Sequence, residues 1–403
     1  MPSNAVSDNA TPAAPLNVPS RILMGPGPSP VHPRVLAALA AGTVGHLDPY
    51  YLTLMSDMQR MLREVMRTGN EMTLAISGTG SAGMEAAVLN LVEPGDSVLI
   101  CVAGVFGGRM AEVTTRAGAK LTKIERPWGE VFSTDDIKAA LATAKPKVVG
   151  IVMAETSTGA AQPIAEIAKL VHDAGALLIV DAVTALGGMA VETDGWELDA
   201  VYSCSQKCLG CPPGLAPMSL SSRAMDKVRA RRTPVQSWYL DVTLLSQYWG
   251  EQRVYHHTAP INMTYALYEG LRMVLEEGLE NRFARHRTNH AALSAGLAAI
   301  GIEQVVAESH RLPMLAAAKI PAGVDDAVIR RNLLERFNIE ISGGLGALKG
   351  KAWRIGVMGH GSRRENVLLL LSALEQILAE QGHRVKPGTA VAAAQERYVR
   401  EYA

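Results

Sequence analysis

Short apolar segments alternate with amphipathic segments from about residue 72 to residue 204. The apolar segments are nearly continuous, as expected for strands buried on both faces, whereas the stretches between them carry apolar residues at helical spacing. This alternation predicts an α/β fold with a mostly parallel central sheet covered by helices on both faces. The predicted strands are residues 72–76, 97–101, 148–153, 177–180 and 200–204, and the predicted helices are residues 81–92, 106–117 and 163–174.

The pattern changes after about residue 280. Two segments, residues 282–300 and 325–337, have the periodicity of amphipathic helices, and short strand-like segments lie between and after them. Ser362 and Glu365 have the spacing of a capping box before a further helix. These elements predict a smaller C-terminal α+β domain. The predicted organisation is a flexible N-terminal arm at residues 1–20, a large domain at residues 21–280 and a small domain at residues 281–403.

The charge of the chain is balanced, with 39 basic and 39 acidic residues. This balance argues against nucleic acid or an anionic membrane surface as a main partner. No uninterrupted apolar stretch approaches the ~20 residues of a membrane span. The N-terminal segment lacks the pattern of a secretion signal or a transit peptide. We therefore expect a cytoplasmic protein without a membrane segment.

Three of the four cysteines cluster, at Cys204, Cys208 and Cys211. Such a cluster suggests a metal site, but no fourth cysteine or histidine lies nearby in the sequence to complete a ligand set. The pair His256 and His257 does not indicate a metal either, because adjacent histidines rarely chelate one ion. We expect no metal and no disulfide framework. The three cysteines are interpreted as small, half-buried residues of a tight active-site loop.

An acid and a lysine mark the ends of two successive predicted strands. Asp181 closes the apolar run 176–180, and Lys207 lies just after the run 200–204. Pyridoxal phosphate chemistry needs such a pair, because the lysine amine forms a Schiff base with the cofactor aldehyde and the carboxylate keeps the pyridine nitrogen protonated. A solvated acid and a surface lysine are the ordinary alternative, so the neighbouring residues have to decide.

A glycine-rich segment, residues 77–83, joins a predicted strand to a predicted helix and matches the dinucleotide pattern G-x-G-x-x-G. Free N–H groups at the start of a helix bind phosphate in either kind of site. A dinucleotide site also requires an acid after the next strand, and residues 102–105 contain none. The hydroxyls of Thr79 and Ser81 suit a single phosphomonoester, so we favour pyridoxal phosphate over NAD.

Three further residues have both a functional and a structural explanation. Phe106 begins the element after a strand, where its ring could stack on a cofactor or pack in the core. The hydroxyl of Ser157 could bond the phenolic oxygen of the cofactor or cap a helix. Arg354 is a cation among apolar neighbours, so it needs a carboxylate from the protein or from a substrate. Both explanations stay open for each residue.

With these residues placed, the chain resembles the class V aminotransferases, specifically the alanine–glyoxylate and serine–glyoxylate group. The resemblance covers most of the chain, from residues 23–28 to the last helix. Its specific blocks are residues 77–81, 155–159, 181–183, 203–207, 255–258 and 354–356. The family is similar to the fold-type I pyridoxal phosphate enzymes, which are homodimers with active sites at the subunit boundary. The resemblance implies the same fold, cofactor and assembly here.

The resemblance also implies a role for each matching residue. Lys207 and Asp181 would be the catalytic pair, with Lys207 forming the Schiff base and Asp181 facing the pyridinium nitrogen. The substrate side would include Arg354, which binds the carboxylate, together with His46 and Gly27. The other implied cofactor contacts are Thr79, Gly80, Ser81 and Gln206 at the phosphate, Phe106 and Val183 at the ring, Ser157 at the phenolic oxygen, and Tyr255 and Thr258 at the phosphate bound by the partner subunit. The family usually has Trp or another aromatic at the position of Phe106, so ring stacking is kept with less area, and it usually has Gly at the position of Cys204.

Bacterial ureidoglycine–glyoxylate aminotransferases form a similar subgroup, but they carry Gln at the position of His46 and Asn at the position of Tyr255. This departure favours a simpler amino donor. The resemblance therefore implies transfer of an amino group from a small L-amino acid, alanine first and serine second, to glyoxylate. The alternatives are ureidoglycine as the donor and, less favoured, a pyridoxal phosphate lyase or desulfurase on the same fold.

Overall fold

The computed structural model describes residues 14–402. Most of the arm predicted at residues 1–20 lies outside the described residues. The remainder, residues 14–20, is exposed and belongs to no helix or strand. Within the described range, no helix combines the length and the apolar composition that crossing a membrane requires.

The strands of the described chain are β1 (Ile22–Leu23), β2 (Met72–Ser77), β3 (Ser97–Val102), β4 (Lys120–Glu125), β5 (Val148–Val152), β6 (Ala154–Glu155), β7 (Ala160–Ala161), β8 (Leu177–Asp181), β9 (Ala200–Tyr202), β10 (Leu215–Leu220), β11 (Leu315–Lys319), β12 (Ile339–Glu340), β13 (Ser342–Gly343) and β14 (Ala352–Gly356). The α-helices are α1 (Pro33–Leu39), α2 (Pro49–Met66), α3 (Gly80–Leu91), α4 (Val105–Arg116), α5 (Thr134–Ala144), α6 (Ala165–Asp173), α7 (Ser222–Arg229), α8 (Val242–Trp249), α9 (Ile261–Glu277), α10 (Leu279–Ala299), α11 (Asp326–Phe337), α12 (Arg364–Glu380) and α13 (Thr389–Tyr402).

Seven strands form the central sheet in the order β2-β10-β9-β8-β5-β3-β4. Neighbouring strands are parallel except at β10, which runs antiparallel to both β2 and β9. The α/β fold with a mostly parallel sheet, predicted from the sequence, is confirmed. The sequence pattern missed β10 although the whole strand is buried. Its Pro217 cannot donate to the ladder, and a proline in such a run argues against a central strand.

The parallel strands bring their carboxyl ends to one edge of the sheet. Val152, Asp181 and Tyr202 are partners in the ladder across β5, β8 and β9, so they lie side by side at this edge. Ser77, at the end of β2, faces the first residue of the antiparallel β10 and therefore lies at the same edge. Loops from distant parts of the chain meet here, as is usual for ligand sites of open α/β sheets.

Buried apolar residues form two clusters. The larger one surrounds the central sheet, and the smaller one lies where the antiparallel sheet β11-β14-β13 packs with α10, α11 and α12. Met24 belongs to the smaller cluster, and β1 pairs in parallel with β12. Residues 22–24 thus pack with the C-terminal part of the chain, although the sequence analysis assigns them to the large domain. The domain boundary near residue 280 stays a prediction.

The predicted capping box at Ser362 is wrong. Arg363 is the N-cap of α12, and no side chain caps this helix. Ser362 is buried, and its hydroxyl accepts a hydrogen bond from Nδ2 of Asn289 at 3.1 Å. A side chain from α10 therefore occupies the hydroxyl that the local pattern assigns to the helix start.

Candidate active site

Lys207 lies in the loop between β9 and β10, at the carboxyl edge of the sheet. Its side chain is partly buried, and Nζ donates a hydrogen bond to the backbone carbonyl of Pro26. Burial lowers the pKa of the amine below its usual value, and the positive charge of Arg354 adds to this effect. An amine that loses its proton more readily is suited to act as a nucleophile or a base.

Gly27 packs directly against the Lys207 side chain. A Cβ atom at this position would lie 2.5 Å from Nζ of Lys207, and the φ angle of Gly27 is +120°. The backbone angle favours glycine, and any side chain at this position would displace the side chain of Lys207. The sequence analysis places Gly27 on the substrate side, which stays a prediction. Its contact with the lysine was not foreseen.

The backbone of the lysine loop is held by the N-terminal segment. The Ser29 N–H donates to the carbonyl of Gln206 at 2.9 Å, and the Ser29 hydroxyl donates to the carbonyl of Lys207 at 2.7 Å. Oε1 of Gln206 is buried and has no hydrogen-bond partner among the described residues. The Gln206 amide therefore retains bonding capacity where the sequence predicts a phosphate contact.

Asp181 is a buried carboxylate with two protein donors. Its side chain is 2% exposed. Oδ1 accepts from the Val183 N–H at 2.9 Å, and Oδ2 accepts from the Tyr202 hydroxyl at 2.7 Å. Burial raises the pKa of Asp181 to about 6, although both hydrogen bonds oppose the change. Sequence reasoning missed Tyr202, and the signal that could have found it is its place at the end of the strand next to Asp181.

The start of α3 lies beside this carboxylate. Thr79 is the N-cap of α3 but makes no side-chain cap, so the N–H groups of the first turn have no side-chain acceptor. A Cβ atom at Gly80 would lie 3.1 Å from both Val183 Cγ2 and Cys204 Cβ. The glycine therefore lets the helix start approach the loops after β8 and β9.

Ser81 and its surroundings add a positive charge to the phosphate loop. Nη1 of Arg109 donates to Oγ of Ser81 at 3.3 Å, and its guanidinium lies 5.0 Å from the centre of the Phe106 ring. Arg109 is a residue that sequence reasoning missed, since one arginine in a helix carries no distinctive pattern. Its position suits the attraction of an anion to this loop.

Glu155 and Ser157 hold the start of α4. Oε2 of Glu155 accepts from the N–H groups of Phe106 and Gly107 at 3.1 and 3.3 Å. The Ser157 hydroxyl donates to Oε1 of Glu155 at 2.6 Å and accepts from the Val105 N–H at 3.0 Å. Ser157 is thus a helix cap in this structure, and its contact with a cofactor oxygen stays a prediction. Phe106, partly buried at the same place, also packs against the larger core cluster.

Arg354 is buried in β14 at 7% exposure. Its Nε donates to the carbonyl of Gly343 at 2.9 Å, and Nη1 lies 3.5 Å from the carbonyl of Thr156. Among the described residues, no carboxylate comes within 4.0 Å of the guanidinium. Burial lowers the pKa of Arg354, and the charge of Glu155 partly offsets that effect. The sequence leaves two kinds of partner open for this cation, a protein carboxylate and a substrate carboxylate. The described chain supplies no protein carboxylate in direct contact.

Tyr255 and Thr258 lie at the surface of the single chain, whereas His256 between them is buried. Tyr255 is 56% exposed and Thr258 is exposed as well. The rings of His46 and Tyr255 are 5.0 Å apart. Next to them, Nε2 of His257 lies 2.7 Å from Oγ of Ser77 and shares a hydrogen bond with it. No hydrogen bond in the described chain joins Tyr255 or Thr258 to its own phosphate loop.

The cysteines near the lysine are buried and protonated. The Cys208 thiol donates to the carbonyl of Thr184 at 3.3 Å, and the Cys211 thiol donates to the carbonyl of Ala266 at 3.4 Å. Burial raises the pKa of Cys208 to about 11 and the pKa of Cys204 and of Cys211 to about 12. In residues 14–402, no group of three or more His, Cys, Asp or Glu side chains is arranged to hold a metal ion.

The residues at this edge of the sheet fit pyridoxal phosphate. The first turn of α3 offers N–H groups to a phosphate. Asp181 offers a buried carboxylate to a ring nitrogen, and Lys207 offers an amine of lowered pKa to an aldehyde. These three features come from separate loops that the sheet brings to one place.

Known proteins share both the sequence and the fold. A crystal structure of an alanine–glyoxylate aminotransferase from Nostoc sp. is 52% identical and has a TM-score of 0.90, with coverage of 91% of this chain and 98% of that one. The structure of ureidoglycine–glyoxylate aminotransferase from Bacillus subtilis is 42% identical with a TM-score of 0.94, covering 96% of this chain and 100% of that one. The alanine–glyoxylate aminotransferase of Mus musculus is 40% identical over 90% of this chain and 89% of its own length.

The structural neighbours are fold-type I aminotransferases, which confirms the predicted fold class. The family model of the class V aminotransferases matches residues 32–360. This range contains the active-site residues described above from the end of β2 to β14, whereas the segment 26–29 that contacts Lys207 lies just before it. The chain belongs to the class V aminotransferases.

Proposed function

We propose that this enzyme is a pyridoxal phosphate-dependent transaminase that moves the amino group of a small L-amino acid to glyoxylate. Alanine is the preferred donor and serine the second, and the products are glycine and a 2-oxo acid. The observation that carries the proposal is that Lys207 and Asp181, at the carboxyl edge of the central sheet, lie near Arg354 from β14 of the smaller sheet. Arg354 is buried, and within residues 14–402 no carboxylate contacts it, which suits a substrate carboxylate.

Pyridoxal phosphate, when bound, supplies an aldehyde that condenses with amines and a ring that accepts electrons from the substrate. Lys207 would hold its aldehyde, and Asp181 would keep a proton on its ring nitrogen. The phosphate would be held by Thr79, Gly80, Ser81 and Gln206, the ring by Phe106 and Val183, and the phenolic oxygen by Ser157.

The reaction needs a base close to the substrate α-carbon. Nζ of Lys207 would take the proton from this carbon and hold it for its return later in the reaction. Burial lowers the pKa of Lys207, which favours the neutral amine that this transfer requires. Arg354 fixes the substrate carboxylate, so that the α-carbon faces the lysine.

Ureidoglycine is the second candidate donor, because the Bacillus subtilis relative, 41% identical, is a ureidoglycine–glyoxylate transaminase. A ureido group is polar on all sides and must be hydrogen-bonded when buried. In this chain two rings, His46 and Tyr255, face each other at 5.0 Å where the sequence analysis places amides in that subgroup. A histidine and a tyrosine offer fewer donors and acceptors than two amides, which supports alanine or serine.

A desulfurase on the same fold is not supported by the cysteines. A desulfurase needs a reactive, mobile thiolate, whereas burial raises the pKa of Cys204, Cys208 and Cys211 well above neutrality. Their thiols also donate to backbone carbonyls, which fixes them in place.

The proposal includes a homodimer with shared sites. Trp238, Tyr239 and Tyr255 are 61%, 40% and 56% exposed, an unusual exposure for large aromatic side chains. Trp238 stacks on His256 at 4.3 Å, and Tyr239 lies 5.0 Å from His257. These rings form one aromatic surface around the segment that carries Tyr255 and Thr258. If a second copy packs on this surface, Tyr255 and Thr258 of one subunit reach the phosphate loop of the other.

The cytoplasm remains the proposed compartment.

The first prediction concerns cofactor attachment. Purified enzyme should be yellow, and borohydride should fix a pyridoxyl group on Lys207, because this amine is partly buried at the site and has a lowered pKa. Peptide mapping of the reduced protein identifies the labelled residue. A label on another lysine would remove Lys207 from its role, and Lys207→Ala is the matched control that should take up no label.

The second prediction concerns Asp181. Asp181→Asn should keep some cofactor but lose about 100-fold or more in the rate of the half-reaction with alanine, because an uncharged ring withdraws electrons poorly. Stopped-flow absorbance measures this rate. Tyr202→Phe is the control, because it removes one hydrogen bond but keeps the carboxylate, and it should lose no more than about tenfold. A rate for Asp181→Asn near that of the parent would contradict the role.

The third prediction tests the shared site. Lys207→Ala subunits and subunits carrying both Tyr255→Phe and Thr258→Ala should each be inactive as homodimers. Mixed heterodimers should regain activity at about one site of two, because one site then receives every intact residue. Activity is measured on heterodimers purified with two different tags. Heterodimers that stay inactive would show that each site is complete within one chain.

The fourth prediction tests the substrate. Ureidoglycine should lose to alanine or serine by about tenfold or more in kcat/KM, because an unmet buried amide-like group costs on the order of 1–3 kcal/mol. Direct competition of the three donors, with glyoxylate as the acceptor, measures this ratio. The double variant His46→Gln, Tyr255→Asn should shift it toward ureidoglycine. A parent enzyme that already prefers ureidoglycine would overturn the proposed donor.

A further inference from the structure

Glu277, Arg282 and Arg285 form an ion cluster where α9 passes into α10. A single residue, Gly278, separates the two helices. Oε2 of Glu277 accepts from Nη1 of Arg282 at 2.7 Å and from Nη2 of Arg285 at 3.0 Å, and Oε1 accepts from Nε of Arg285 at 2.6 Å. Burial would raise the pKa of Glu277, but the two arginines bring it below its usual value. One carboxylate therefore orients two guanidinium groups.

Arg282 holds the backbone of the lysine loop. Its side chain is 5% exposed. Nη2 donates to the carbonyl of Cys208, the residue after Lys207, at 2.6 Å, and Nε donates to the carbonyl of Gly187 at 3.0 Å. Gly187 lies in the loop that follows β8 and Asp181. Arg282 thus ties together the two loops that carry the proposed catalytic pair.

Arg285 holds the loop on the substrate side. Nη1 donates to the carbonyls of Gly359 and Ser362 at 3.0 and 2.7 Å. This loop directly follows β14, the strand of Arg354. The two arginines, joined by Glu277, therefore connect the backbone next to Lys207 with the backbone next to Arg354.

The two loops also touch at Gly359. Its φ angle is +54°, and a Cβ atom there would lie 3.1 Å from the carbonyl oxygen of Lys207. Nε2 of the buried His286 accepts from the Gly359 N–H at 3.0 Å, while its Nδ1–H donates to the carbonyl of Arg282 at 2.7 Å. A neutral histidine is needed for both bonds, and burial lowers its pKa to about 3. The contact between the loops thus depends on the same helix turn as the ion cluster.

Apolar packing does not hold this junction by itself. A cavity of about 420 Å³ lies beside the cluster, lined by residues that include His32, Glu276, Glu277, His360 and Arg363. Where such a space borders the loops, directed hydrogen bonds rather than close packing must set their relative position.

We propose that Glu277, through Arg282 and Arg285, is a positioning residue that sets the distance between the amine of Lys207 and the guanidinium of Arg354. This inference rests on the proposed function, in which those two groups act on the α-carbon and the carboxylate of one substrate molecule. Loss of the Glu277 charge lets the two loops move relative to each other. Binding of a compound held by both the cofactor aldehyde, which Lys207 would position, and Arg354 then weakens, whereas binding of a compound that uses only the cofactor aldehyde does not.

The test compares 2-methylalanine, an amino acid that has no α-hydrogen and so does not react further, with methylamine, which has no carboxylate. Spectral titration of the holoenzyme gives both dissociation constants. Glu277→Gln should weaken 2-methylalanine binding by about tenfold and leave methylamine within about twofold of the parent. Glu276→Gln is the matched control, because the neighbouring Glu276 pairs with Arg34 and Arg272 instead. It should change neither constant by more than about twofold.

Hydrogen exchange in the cofactor-free protein gives a second measurement. Amides of residues 359–362 and 208–210 should exchange faster in Glu277→Gln than in the parent, and at the parental rate in Glu276→Gln. Should Glu277→Gln fail to fold, Arg285→Lys keeps the charge but loses the two-pronged contact and should show the same selective loss.

Equal weakening of both compounds, or no weakening of either, would overturn the proposal. These outcomes differ from a failure of the proposed function, because the parent enzyme itself would then show no spectral response to 2-methylalanine.

Discussion

Burial of charge at the carboxyl edge of the sheet is the constraint on which the rest of this structure depends. A carboxylate or guanidinium taken out of water costs several kcal/mol unless hydrogen bonds compensate it. Asp181 meets this demand through Tyr202 and the Val183 N–H. Arg354 meets only part of it through backbone carbonyls. Asp181 therefore has its hydrogen-bond partners within the protein, whereas Arg354 can still bind an incoming anion.

The same need for hydrogen-bond partners explains why many contacts in the site join a side chain to a backbone group. Ser29 fastens the lysine loop through two main-chain carbonyls, and Arg282 fastens it through another. Glu155 accepts hydrogen bonds from the main-chain N–H groups at the start of α4. The backbone N–H and C=O groups of loops outside a sheet have no partners on a neighbouring strand, so side chains from other elements must provide hydrogen bonds to them. The geometry of Lys207 is therefore a property of several distant segments together.

The sequence was sufficient for the features that follow local rules. Continuous apolar runs predicted β2, β3, β5, β8 and β9, and the acid and lysine after two of them indicated the cofactor class. The parallel strand β4 was missed, because its sequence mixes charged and apolar residues. The pattern did not predict β10, because Pro217 contradicts the usual rule for a central strand. It also did not predict Tyr202 or Arg109 as site residues, since their contacts with Asp181 and Ser81 exist only after strands and helices have been brought together.

Other residues carried a local signal that the tertiary structure overrode. Ser362 has the spacing of a helix cap, yet Asn289 uses its hydroxyl. Ser157 was expected to have either of two roles, and in the folded chain its hydroxyl serves Glu155 and the first turn of α4. Short polar side chains have several partners within reach, and the choice among them depends on packing over long sequence separations.

The contact between Gly27 and Lys207 has a consequence for redesign of this enzyme. A side chain at residue 27 would occupy the space of the lysine amine, and the backbone angle there strains any other residue. A library aimed at new amino donors therefore gains nothing from varying this position. His46 and Tyr255, whose rings lie 5.0 Å apart, have no positive φ angle, so their backbone accepts other side chains. Directed evolution of donor choice should begin there, with the segment around residue 27 kept unchanged.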